Sequence, residues 1–124
     1  MKYLVMIYSN PASRAAWDGF SDGEKSAGLK VYAALVEELV GTGELVVTEA
    51  LADPSHGRRP PASAGALASV GDGPFAEAKE HLAGFFLVDC AGMDRALEIA
   101  ARIPESSHGL VEVRPTMTYE GMDV

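Results

Sequence analysis

A chain of 124 residues can build one hydrophobic core and is too short for two, so a single domain spanning 1–124 is expected. With 48% apolar and 23% charged residues the composition is that of a globular protein and excludes a disordered one. Eighteen acidic residues against ten basic ones leave a net charge of −8, which repels phosphate backbones and anionic lipid. The Lys and Arg residues are scattered along the chain, so neither a nucleic-acid nor a membrane partner is expected.

The run from Lys2 to Ser9, rich in Val, Ile and Tyr and halted by Asn10-Pro11, predicts a buried first strand. Asn10 to Phe20 reads as a loop with one helical turn around Ala15-Ala16-Trp17. Ser21, with Glu24 three residues on, is a capping box and opens a helix. Leu29, Tyr32, Val36, Leu39 and Val40 recur at helical spacing and define its expected apolar face, and Gly41 and Gly43 end it. Glu44 to Leu51 predicts a second strand, and the Pro, Gly, Ser and Arg content of 52–65 predicts a surface loop.

Residues 66–70 fit a short extra strand before the turn at Gly71-Asp72-Gly73-Pro74. Gly84 to Cys90 is the most hydrophobic strand and is expected at the centre of the sheet. A second helix is predicted from Met93 to Ile103, with Met93, Leu97 and Ala100 inward and a Glu98–Arg102 pair outward; Pro104 stops it. Leu110 to Tyr119 alternates, with Val111 and Val113 on one side and Glu112 and Arg114 on the other. Without the short extra strand the order is βαββαβ: an α+β, ferredoxin-like plan with both helices on one face of an antiparallel sheet. The other face is left open for a second copy, giving a dimeric α+β barrel with a cavity between the sheets.

Cys90 is the only cysteine, which excludes an intrachain disulfide and a CxxC metal pair; after an apolar run it reads as a buried, inert thiol. His56, His81 and His108 show no metal-ligand spacing, and no phosphate-binding loop, GxGxxG or GxSxG run is present, so no metal and no cofactor are expected. The N-terminal apolar run is too short for a signal peptide, and no stretch reaches the roughly 20 apolar residues of a membrane helix. A cytoplasmic location follows as the expectation.

DGPFAEAKEHLAGFFLVD at 72–89 and VEVRP at 111–115, with MKYLVMIY at the start and Glu37-Glu38-Leu39 at the end of the first helix, resemble the DGPF branch of the YCII-related family. The resemblance covers nearly the whole chain and is weakest over 52–65. It implies the dimeric barrel and a pocket on the open sheet face. Some relatives carry a helix-borne His and a later Asp as a proposed dyad, and one dehalogenates a chlorinated aromatic. Tyr32 stands where that His would be, and the segment just before Pro104 has no Asp. Members of this branch are often encoded beside extracytoplasmic-function sigma factors, which implies a regulatory association.

Each candidate residue has a structural reading and a functional one. Asp72 either caps its turn or serves as acid or base at a pocket mouth, and turn chemistry accounts for it unaided. Phe75 is a hydrophobic anchor or a stacking ring. Lys79, beside Glu77 and Glu80, belongs to a solvated charge cluster on a one-turn helix or neutralises an acidic ligand. Glu112 and Arg114 pair with each other or with a second subunit, or Arg114 clamps a carboxylate. Tyr32 is a core tyrosine with a satisfied hydroxyl or a proton donor on the pocket floor. Two functions follow: a small-molecule acid–base enzyme acting on an aromatic or lactone-like substrate, or a non-catalytic ligand-binding or regulatory protein.

Overall fold

The computed structural model describes residues 1–61, 71–72 and 79–118. Strand β1 (Lys2–Ser9) is followed by helices α1 (Pro11–Asp18) and α2 (Asp22–Thr42) and strand β2 (Leu45–Ala50). A single 3-10 turn (Pro54–His56) leads to β3 (Arg58–Arg59), which pairs with β4 (Gly71–Asp72) in a two-stranded ribbon. Strand β5 (His81–Asp89), helix α3 (Met93–Ala101), a 3-10 segment (Pro104–His108) and β6 (Val111–Pro115) complete the described chain.

The main sheet has the order β2-β5-β1-β6, antiparallel throughout, which is the ferredoxin-like arrangement. Tyr3, Val5 and Ile7 of β1 lie opposite Val88, Phe86 and Gly84 of β5, so period-two alternation places them on one face. Leu35 and Leu39 of α2 and Ala96, Ile99 and Ala100 of α3 bury that face. Each fully buried Leu or Ile side chain contributes roughly 1.5–3 kcal/mol by leaving water, and no covalent clasp is present to help.

Several expectations need correction. Within Asn10 to Phe20, Pro11–Asp18 forms a helix of eight residues, because the Asn10 side chain accepts from the Ser13 N–H, the Ser13 hydroxyl accepts from the Asn10 N–H, and Pro11 presets the first helical turn. On α2 the inward stripe is Tyr32, Leu35, Val36 and Leu39; Leu29 and Val40 are 60% and 63% exposed. The Ser21–Glu24 capping box holds, and Gly43 ends α2 at φ 80°, a conformation that disfavours any side chain. Ala96 and Ile99 are inward on α3 and Leu97 faces out, which follows from where the 100° steps begin at Met93.

The Glu98–Arg102 pair does not form. Arg95 instead bridges Glu44 and Glu98, while Arg102 pairs with Glu38 of α2. β6 stops at Pro115, short of the expected Tyr119, because its partner β1 begins at Lys2, whose carbonyl takes the Thr116 N–H as the last rung. β5 begins at His81, three residues earlier than Gly84. The loop after Ala52 holds the 3-10 turn and β3. Residues 66–70, expected as an extra short strand, lie outside the described residues, as does Glu77 of the expected one-turn helix; Lys79 and Glu80 form a bend.

Candidate functional site

The face of the sheet away from the helices carries Leu4, Met6 and Tyr8 of β1, since these alternate with the core residues. Leu4 and Met6 lie opposite Leu87 and Phe85 of β5 on one side and Arg114 and Glu112 of β6 on the other. Met6 is buried and Leu4, Phe85 and Leu87 are half-buried, so the centre of this face is an apolar floor with its polar groups at the β6 edge.

Glu112 finds its hydrogen-bond partner in Tyr8 rather than in Arg114. The Tyr8 hydroxyl donates to Glu112 Oε1 at 3.1 Å and lies 3.5 Å from Met6 Sδ. Burial, then the Glu112 hydrogen bond and charge, push the Tyr8 hydroxyl above its ordinary pKa; Arg114 opposes the shift and Glu80 adds to it. The phenol therefore stays protonated at neutral pH. Tyr8, Glu112, Arg114 and Glu80 thus form one electrostatic group beside the apolar floor. Tyr8 was not singled out from the sequence, where it read as one more residue of a buried strand; the alternation of β1 is the signal that sends it to the open face.

Tyr32 belongs to the opposite side of the sheet. Its ring stacks on Phe86, with centroids 6.4 Å apart and planes at 21°, and packs against the helix-side core. Its hydroxyl donates to the carboxylate of Glu105, which burial holds above the ordinary carboxylate range. The sheet therefore separates Tyr32 from Glu112 and Arg114, and they do not converge within one chain. Glu105 stands just after Pro104, so the carboxylate facing Tyr32 comes from beyond the proline rather than before it.

The backbone of Asp72 lies in β4 opposite Arg58. Lys79 is exposed, and Phe75 lies outside the described residues. Among the described residues no three His, Cys, Asp or Glu side chains gather as metal ligands would. No helix among them is long and apolar enough to cross a membrane. Cys90 is buried, with its thiol donating to the Gly92 carbonyl.

Concavities are also found elsewhere on the described surface. A groove of about 680 Å³ at the start of α3 is lined by Glu44, Met93, Asp94, Arg95 and Glu98. Its guanidinium is already engaged, with Nε and Nη2 donating to the two oxygens of Glu44 at 3.0 and 2.8 Å and Nη1 donating to Glu98. A cavity of about 370 Å³ lies between the 51–57 connection and the start of β5.

The family model for the YCII-related domain matches residues 1–120. An uncharacterized protein of Rhizobium meliloti (strain 1021) is 37% identical over 128 aligned positions, covering 97% of this chain and 95% of its own.

Proposed function

The chain belongs to the YCII-related family, and on that premise we propose that it is a small-molecule enzyme using acid–base chemistry on the open face of its sheet. The observation that carries this reading is the Tyr8–Glu112 hydrogen bond at 3.1 Å beside an apolar floor. Leu4, Met6, Phe85 and Leu87 suit the flat body of an aromatic or lactone-like substrate. Glu112 accepts a proton from an activated O–H or C–H, Arg114 two residues along stabilises the oxyanion that results, and the neutral Tyr8 phenol gives a proton to the product and recovers one from Glu112 through their hydrogen bond.

One sheet face leaves such a pocket open to water, and a second copy of the chain packed over it closes the site. The VEVRP strand that carries Glu112 and Arg114 is one of the segments that resemble the DGPF branch. A cytoplasmic setting and a homodimer fit this reading.

The test begins with sedimentation, where a particle of twice the 13.0 kDa chain is expected. Turnover of a panel of aromatic lactones and small enolisable compounds is then compared in wild type and Glu112→Gln. Loss of general-base catalysis lowers the rate by about 10²–10⁴. A monomer at micromolar concentration, or a Glu112→Gln enzyme with unchanged rate, refutes the reading.

A second reading, a non-catalytic regulatory partner of an extracytoplasmic-function sigma factor, is favoured by a different observation. Trp17 and Phe20 are 40% and 42% exposed on α1 and the segment after it. Their rings meet edge to face at 6.0 Å, and Lys25 lies over Trp17. A pull-down of such a factor that is lost on Trp17→Ala supports this reading, and recovery of no such factor counts against it.

A further inference from the structure

Glu112 and Arg114 stand two residues apart on β6, so their side chains share the open face of the sheet at positions about 7 Å apart along the strand. Both are exposed, and they do not pair with each other. The salt bridges among the described residues join Met1 to Asp89, Arg95 to Glu44 and Glu98, and Arg102 to Glu38. Glu112 is held on one side by the Tyr8 hydroxyl at Oε1. Arg114 therefore borders the apolar floor with no carboxylate joined to it among the described residues.

The strand register determines how a second copy fits this face. Arg114, Leu4, Leu87 and Val47 form one row across the sheet, and Glu112, Met6, Phe85 and Glu49 form the next. A closed pair of identical chains is related by a two-fold axis, which makes every contact reciprocal. An axis running across the strands between these rows lays each row on the other. Arg114 then meets the partner's Glu112, Leu4 the partner's Met6, and Leu87 the partner's Phe85. An axis running along the strands instead lays Glu112 on the partner's Glu49 and sets Arg114 against the partner's Val47. For two chains that each carry a net charge of −8, the first arrangement brings opposite charges together and the second brings carboxylates together.

We propose that two copies pack through the open face about a two-fold axis across the strands, with Arg114 of each paired to the partner's Glu112. This rests on the second copy argued for the acid–base site and specifies what that copy contributes. Each Tyr8–Glu112 pair lies beneath the partner's guanidinium, so neither site is complete within one chain. When Glu112 takes a proton it loses its charge, and the partner's guanidinium is left facing the oxyanion that forms on the substrate.

The test is a charge exchange in the full-length protein, read by sedimentation. Glu112→Arg alone brings two positive groups together at each contact, and Arg114→Glu alone brings two negative ones. Each is expected to raise the dimer dissociation constant on the order of 10²–10³-fold. An equimolar mixture of the two variants is expected to sediment at twice the 13.0 kDa chain, because every contact between them is again of opposite charge. Both changes in one chain restore the homodimer. A pairing within the chain would be repaired by the double variant but not by mixing. Both side chains are exposed, so the substitutions spare the core, and recombination on mixing itself reports folded chains. A wild-type dimer whose single variants associate as tightly, or whose double variant is dimeric while the mixture stays monomeric, overturns this proposal and leaves the acid–base reading to the Glu112→Gln rate. A wild-type monomer overturns both.

Discussion

The Tyr32 hydroxyl donates to Glu105 across 73 positions of sequence, tying α2 to the segment that leads into β6. Arg102 and Glu38 make a second tie between the same two regions. Together they hold α2 near both ends of its inward stripe, at Tyr32 and beside Leu39. The phenol–carboxylate pair sits on Phe86, so its geometry is set by the core rather than by solvent.

This pair makes stability depend on pH in a definite direction. Burial raises the folded pKa of Glu105, so ionisation is disfavoured in the fold. Its contribution is therefore fully present below the ordinary carboxyl value of about 4.3 and is lost as pH rises through the raised folded value. In urea unfolding from about pH 4 to about pH 7, Glu105→Gln becomes progressively more stable relative to wild type and then levels off. A difference that stays constant over this range contradicts the assignment.

The opposite sign holds at Glu44. Arg95 first, then the Thr42 hydroxyl, hold its carboxyl below the ordinary range, so its contribution is present at neutral pH and lost as pH falls through the depressed value. Arg95→Lys keeps the charge and loses the two-pronged geometry. With the Arg95 side chain 31% exposed the pair is partly screened, and the expected cost is about 1 kcal/mol in urea unfolding at neutral pH.

Truncation of leucines distinguishes the two faces of α2. Leu39 is fully buried, and Leu39→Ala is expected to cost about 2–5 kcal/mol. Leu29, largely exposed on the same helix, gives a Leu29→Ala change within about 0.5 kcal/mol. Denaturant midpoints of the two variants, measured side by side, check this.

At Gly84 the constraint is steric. A Cβ there falls 2.9 Å from the Glu49 carbonyl oxygen and 3.4 Å from the Ala50 Cα, both backbone atoms of β2. Gly84→Ala forces β2 away from β5 and is expected to cost about 1–3 kcal/mol. Faster hydrogen exchange of the Leu45–Ala50 amides in this variant is the accompanying signature.

Much of the fold was legible because its signals are local. The Val, Ile and Tyr run of β1, the Ser21–Glu24 box and the alternation of Val111 and Val113 with Glu112 and Arg114 each report structure within a few residues. The helix α1 was equally legible: Asn10, Pro11 and Ser13 form a cap, overshadowed by the loop character of Asn-Pro. The face of α2 was harder to read, because Leu29 and Val40 put apolar side chains on its solvent side as well. The polar groups of the site were the least legible. Glu112 and Arg114 were identified by alternation, but Tyr8–Glu112 and Tyr32–Glu105 join residues 104 and 73 positions apart, and no local pattern encodes such a contact.

The register between β1 and β5 slips by one residue between Ile7 and Tyr8, leaving Ala83 without a partner in β1. Up to Gly84 the strand alternates in one phase; beyond Ala83 it alternates in the other. That single surplus residue delivers Leu82 to the side of Tyr8 and His81 to the side of Ser9. Side-chain replacement leaves this allocation intact, and so does deletion of Ala83, which restores regular pairing with Leu82 still opposite Tyr8. Only flattening the bulge with Ala83 retained would move Leu82 opposite Ser9 and carry the imidazole to the side of Tyr8, so the two sides are kept apart by a local irregularity of the strand.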